Sequence, residues 1–340
     1  MSSSLVLKSA EELSPELVKD YLTRQGMPAA IVDWKYYDAK FSHGRPRGSV
    51  WLRDGKVLGF LGLIPFRFTN DGGEEAAWCC DWSIDSAQSA AGAGIMLVKH
   101  AQGLYRCLFG LEGSEITKRI FPRLATATFP NAATRMQLNL RLGAYLQKIS
   151  NRWPAFPATR WPHLTRMPIR FVSGEGRGNH PRVESGVARA IAPLLEALGS
   201  DPWRPRYDLE YIQWQIGRCP VLVSHTCYFP EPAPPEAAIV YWRDTRQESW
   251  RIAIWALEAA LDQARSLLAK VIREIYQSQG TCISVLVSHA NAALITILSE
   301  AGFARWPDGM PLYALAPRRT DPIPVLSHLS YLDCDLAYRF

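Results

Sequence analysis

Two glycines one residue apart, Gly92 and Gly94, punctuate the stretch Ser89-Ala90-Ala91-Gly92-Ala93-Gly94-Ile95-Met96-Leu97-Val98. Glycine lets a backbone turn tightly and come close to something bulky. The apolar run behind the turn reads as a helix, and a helix start offers unpaired N–H groups and a positive dipole end to a phosphate. Other chemically able residues are less telling. Adjacent Cys79 and Cys80 suggest a nucleophile, yet neighbours on a strand point to opposite faces, and buried structural thiols outnumber reactive ones. His100, about two turns into the helix, reads as a surface or packing residue. No Ser/His/Asp set shows a local signature. The seven cysteines lack CxxC spacing, so neither a disulfide framework nor a zinc site is expected, and a reducing cytoplasm fits.

The elements around the glycine turn are legible. Val50–Arg53 and Lys56–Phe60 flank Asp54-Gly55, a strong type I′ hairpin signal. Ala76–Ile84 reads as a third strand, and Ile95, Leu97, Val98, Ala101, Leu104 and Tyr105 recur near helical spacing. Cys107–Leu111 is a short apolar strand. Ser114 then caps a helix predicted to run to about Phe121, before Pro122 interrupts it. A second unit repeats this order. Strands at Ala237–Trp242 and Trp250–Leu257 precede a helix from Leu261, a strand at Cys282–Val287 and a helix from Asn291 that ends at Gly302.

At 340 residues the chain is long enough for two domains. Its 48% apolar and 21% charged residues are those of an ordinary globular protein. The net charge of +6 is modest, and much of it falls between Arg160 and Arg182, so a nucleic-acid surface is not expected. No apolar run is long enough for a signal peptide or a membrane span. Residues 151–185, broken by Trp153-Pro154, Phe156-Pro157, Trp161-Pro162 and Met167-Pro168, read as a connector. Its Arg160, Arg166, Arg170, Arg177 and Arg182 read first as a solvated cationic face and second as an anion-attracting one.

The order of elements, with a glycine turn at the mouth of the first helix, resembles the GNAT acyltransferase family. The likeness spans roughly residues 50–128 and more faintly 207–315. The family's pyrophosphate loop, (Gln/Arg)-x-x-Gly-x-(Gly/Ala), meets Ser89 to Gly94 here, with Ser89 at the Gln/Arg position. A two-residue shift aligns Ala91, Gly94 and Met96 instead. The family's Asn-x-x-Ala-x-x-Leu-Tyr-x-x-x-Gly-Phe helix meets Ser114 to Thr126, with Phe121 at the tyrosine. In the second unit Asn291, Gly302 and Phe303 are kept, and Leu298 stands at the tyrosine.

The resemblance implies an α/β (α+β) fold of two GNAT-like domains, each a mixed, mostly antiparallel twisted sheet flanked by helices. Residues 1–150 would carry the acyl-coenzyme A loop, 151–200 a connector and helix, and 201–340 a degenerate copy. It implies acetyl-coenzyme A, or another acyl-coenzyme A, as co-substrate, held by Ile84, Ala91, Gly92, Ala93, Gly94, Ile95, Met96 and Ser114 between splayed strands. No metal is implied. Acyl transfer to an amine needs a base. The resemblance puts it on the fourth strand, where Asp81 is the first candidate and Asp85 the second. Trp78 and Trp82 would wall the pocket of a small amine or amino-sugar acceptor. Two other readings stay open: an aminoacyl-tRNA-dependent transferase of the peptidoglycan type, and a non-catalytic acyl-coenzyme A-binding or scaffold protein.

Overall fold

The computed structural model describes residues 5–38, 44–68, 75–85, 92–141, 180–198, 208–246, 248–316 and 329–332. Ser89, Ala91 and most of the expected connector lie outside these residues. The first described elements are β1 (Leu5–Ser9), α1 (Pro15–Arg24) and α2 (Ala29–Tyr37), which the sequence reading did not resolve. β2 (Gly48–Arg53) and β3 (Lys56–Arg67) form the expected hairpin. Asp54 and Gly55 have φ of 50° and 75°, the positive pair a type I′ turn requires.

β4 (Glu75–Ile84), α3 (Ala93–Leu104), β5 (Cys107–Leu111), α4 (Glu115–Leu124) and β6 (Ala127–Asn139) come next. α4 does not stop at Pro122 as predicted but continues to Leu124. Proline removes one backbone donor, and Ala125 N–H still closes the last turn on the Phe121 carbonyl at 2.7 Å.

The later part contains β7 (Arg182–Ser185), α5 (Ala192–Ala197) and α6 (Leu209–Ile212), which runs on as a π-turn over Gln213–Gly217. β8 (Leu222–Tyr228), β9 (Ala237–Asp244), β10 (Ser249–Ala256), α7 (Leu261–Gln277), β11 (Cys282–Ser288), α8 (Ala292–Glu300), β12 (Ala304–Arg305) and β13 (Met310–Leu315) complete it. Gly302 takes φ 89° past α8, and Phe303 N–H returns to the Leu298 carbonyl, the expected glycine cap.

Among the described residues the strands form one mixed, largely antiparallel sheet of thirteen, ordered β1-β2-β3-β4-β5-β13-β6-β11-β10-β9-β8-β7, with β12 beside β6. The two expected sheets are joined because each half lends a strand to the other. β13 lies antiparallel between β5 and β6, while β6 pairs with β11. α1 and α2 cover one face of the first half, through Val18, Tyr21 and Tyr36 on Val50, Leu52 and Phe60. α3 and α4 cover the other, through Leu97, Ala101 and Phe121 on Leu61, Leu63 and Cys79. The α2 face continues into a core shared by both halves. In it Trp34 of α2 stacks on Trp214 at 5.1 Å, and each indole N–H donates to the other's backbone carbonyl, at 2.9 and 3.2 Å.

Candidate functional site

β4 and β5 start as a parallel pair, matched at Ala76–Cys107, Ala77–Leu108 and Trp78–Phe109. Beyond Trp78, β4 keeps only its β3 partner as far as Ile84, while β5 continues against β13. The two strands therefore part at their C-terminal ends, and α3 and α4 start just past them.

At the head of α3, Gly92 has φ 93°, a conformation that suits glycine, and a side chain there would meet nothing within 4 Å. Its carbonyl accepts from Ile95 N–H at 3.0 Å and Met96 N–H at 3.2 Å. The backbone N–H groups of Gly92, Ala93 and Gly94 have no partner among the described residues. Ile95 and Met96 thus present exposed apolar side chains at the helix head while their N–H groups stay inside it. Gly94 serves packing, since a Cβ there would lie 2.6 Å from Trp82 Cζ2 and 2.8 Å from Ile84 Cδ1. Ser114 spends its hydroxyl on capping α4, accepting from Thr117 N–H at 3.2 Å.

A β-bulge decides what β4 presents. Phe60 faces Ser83 and Gly62 faces Cys80, so Leu61 alone opposes both Asp81 and Trp82. Asp81 is the inserted residue, with φ 46°. Alternation before the bulge sends Trp78 and Cys80 to the α2 face and Ala77 and Cys79 to the α3 face. After it, Trp82 and Ile84 join Cys79 on the α3 face. Trp78 and Trp82 therefore do not line a common pocket. Trp78 is wholly buried, stacked on Phe66 at 5.1 Å, whereas Trp82 is part-exposed and lies 5.4 Å from the Phe121 ring.

Asp81 points back toward α2. Its Oδ2 is ion-paired with the Lys35 ammonium and accepts from the Tyr36 hydroxyl. Lys35 is fully buried and Asp81 is 18% exposed at its side chain, so the carboxylate keeps an opening to solvent. Gly62 makes room, because a Cβ there would overlap the Tyr36 hydroxyl. Arg47 braces the helix, donating to the Lys35 carbonyl at 2.9 Å over the Trp214 ring. Burial pushes its guanidinium down to about 10. Lys35 and Tyr36 escaped the sequence reading because a buried lysine looks like any other lysine until its carboxylate partner is known. Asp85 follows β4, its N–H bonded to the Leu58 carbonyl at 2.8 Å.

Cys79 and Cys80 are buried, and burial holds the Cys79 thiol far above its ordinary value, which removes it as a nucleophile. His100 accepts or donates at 2.9 Å to the buried Ser49 hydroxyl. An open groove of about 1000 Å³ against Ser185, Arg189, Glu210, Gln213 and Arg218 includes none of the expected site residues. Among the described residues, no group of three His, Cys, Asp or Glu side chains is placed to hold a metal, and no helix is long and apolar enough to cross a membrane.

No protein-family profile and no curated protein matches the chain by sequence. Solved structures do match by shape. A GCN5-related N-acetyltransferase from Anabaena variabilis aligns over 91% of this chain and 72% of its own, at TM-score 0.57 and 13% identity. A probable N-acyltransferase from Enterococcus faecalis aligns over 94% and 74%, at TM-score 0.58 and 11% identity. A tandem GNAT protein from the clavulanic acid biosynthesis pathway aligns over 94% of this chain and 100% of its own, at TM-score 0.53 and 13% identity. The fold is a tandem GNAT fold. In this GNAT frame Phe121 sits where the sequence motif has tyrosine. It is 2% exposed, packed over Gly110 between Trp82 and Tyr313, and offers no hydroxyl.

Proposed function

We propose that the protein is an acyl-coenzyme A-dependent N-acyltransferase whose first half binds the cofactor and passes an acetyl group to an amine. One observation carries this reading: the parted ends of β4 and β5 lie before a helix head whose left-handed Gly92, and whose N–H groups at Gly92, Ala93 and Gly94 without a partner among the described residues, suit a pyrophosphate. No acidic side chain lies in the first turn of α3 to repel it. These residues fit the group. Coenzyme A would supply the activated thioester.

The chain's own residues do the rest. Gly92, Ala93 and Gly94 hold the phosphates, and Ile84, Ile95 and Met96 offer apolar contact around them. Asp81, with its opening to solvent, takes the proton that the amine sheds as it attacks, directly or through a water. Lys35 and Tyr36 fix that carboxylate in one orientation. The acceptor is a small amine or amino sugar, and the seven cysteines without CxxC spacing suit an enzyme of the reducing cytoplasm.

The engagement of Asp81 Oδ2 by Lys35 and Tyr36 favours a second reading, a protein that binds acyl-coenzyme A without turnover. Calorimetric titration with acetyl-coenzyme A, followed by a thiol-release assay over amines that include amino sugars and amino acids, separates the two. Binding with thiol release supports the transferase, and binding without release supports the second reading. No binding to the wild-type chain overturns both.

A further inference from the structure

Trp82 carries a donor with no acceptor among the described residues. Its indole N–H is buried from water and makes no hydrogen bond to them. Such a group left unpaired costs about 1–3 kcal/mol. Trp51 and Trp78 have the same orphaned N–H but are sealed in the core at 1% and 0% exposure. Trp82 differs because the bulge at Asp81 turns it to the α3 face, where its ring stays partly open.

The ring meets the head of α3 through Cζ2 and Cε2: a Cβ built on Gly94 would sit 2.6 Å from Cζ2 and 3.1 Å from Cε2, the carbon bonded to Nε1. The same helix head presents the N–H groups of Gly92, Ala93 and Gly94. Among the described residues, the polar groups left without a partner there are donors, so the matching ligand group is an oxygen with lone pairs to spare.

We propose that Trp82 is a binding residue for acyl-coenzyme A, its indole N–H donating to an oxygen of the ligand at the head of α3. This rests on the cofactor reading above and adds to it a side-chain donor from β4. Because the N–H is closed to water, donation to the ligand requires the ring to shift. The bulge then has two products: Asp81 for the acceptor side and Trp82 for the cofactor side.

Trp82→Phe keeps an aromatic ring and deletes the donor. It is expected to weaken acetyl-coenzyme A binding about tenfold, about 1.4 kcal/mol. Nitrogen-15 spectra of the full chain supply a second readout. Of the twelve tryptophans, Trp82 gives the indole N–H signal that Trp82→Phe removes. That signal should move downfield on saturation with acetyl-coenzyme A, as a newly donated hydrogen bond requires. Unchanged affinity in the variant, or an unmoved indole signal at saturation, overturns the proposal while leaving the cofactor reading intact. Failure of the wild type to bind overturns the cofactor reading itself.

Discussion

The two halves of the sheet each contain a parallel pair that parts. In the first, β4 and β5 separate after Trp78–Phe109. In the second, β10 and β11 separate after Ile252–Val285, with β10 continuing against β9 and β11 against β6. The halves differ beyond the gap. α3 is entered through left-handed Gly92, whereas α7 is entered through a 3-10 turn, Glu258–Ala260, with Ala260 at φ −109°. Glu258 and Asp262 put negative charge at the head of α7, and α3 has none in its first turn. β4 carries a bulge, while β9 and β10 pair without a register shift. Ile252, Ile254, Val285 and Val287, at and beyond the point where the strands part, belong to the buried core of the second half. The proposed phosphate site thus rests on one turn and one bulge laid on an architecture that both halves share.

The comparison breaks most sharply at Gly92. Gly92→Val forces a β-branched residue to φ 93° and is expected to lower acetyl-coenzyme A affinity at least a hundredfold, about 2.7 kcal/mol. Glu258→Gln at the other helix head should leave affinity within twofold. Titration should return one site per chain in both wild type and Glu258→Gln. Two sites would erase the distinction between the halves.

Asp81 supplies the next largest effect. Asp81→Asn leaves the Lys35 ammonium buried without its counter-charge, which costs about 3–5 kcal/mol by urea unfolding. Pairing it with Lys35→Met should recover part of that loss. If the double variant is no more stable than Asp81→Asn alone, the ion pair is not what holds the bulge to α2. Among variants that fold, Asp81→Asn should keep coenzyme A affinity and lose thiol release.

Trp34 and Trp214 link the halves more mildly. Trp34→Phe removes one of the two reciprocal hydrogen bonds and leaves the Trp214 ring contact. A loss of about 1 kcal/mol by urea unfolding is expected. The smallest effect is on pH dependence, and it samples both halves. Burial lowers His100 in the first half and His225 in the second below the ordinary histidine value. The unfolded chain therefore takes up these protons first as pH falls through about 6.5, and the folded state loses stability below that point. The urea midpoint should fall as the pH drops below about 6.5, and His100→Gln with His225→Gln should flatten the fall.

Legibility in the sequence tracked locality. Asp54-Gly55, Gly92 and Gly302 announced their turns because positive φ is written into residue type. The strand–helix order came from periodicity, and Cys107–Leu111 was read to the residue. The strand exchange was not legible, since nothing in Met310–Leu315 says which neighbours it will pair with. The bulge at Asp81 was equally hidden. Without it, Trp78 and Trp82 at spacing four would belong on one face. α2 was missed altogether, and with it Lys35 and Tyr36.

The exchanged strands bear on how the chain is built. During synthesis β5 emerges about 200 residues and β6 about 170 residues before β13, so the emerging chain holds a half-finished sheet whose central slot stays vacant. Neither half closes its own hydrogen bonds. A premature stop before Met310 would leave β5 with an open flank, ready to recruit a strand from another molecule. Truncations between residues 140 and 309 should therefore aggregate rather than yield a small soluble enzyme.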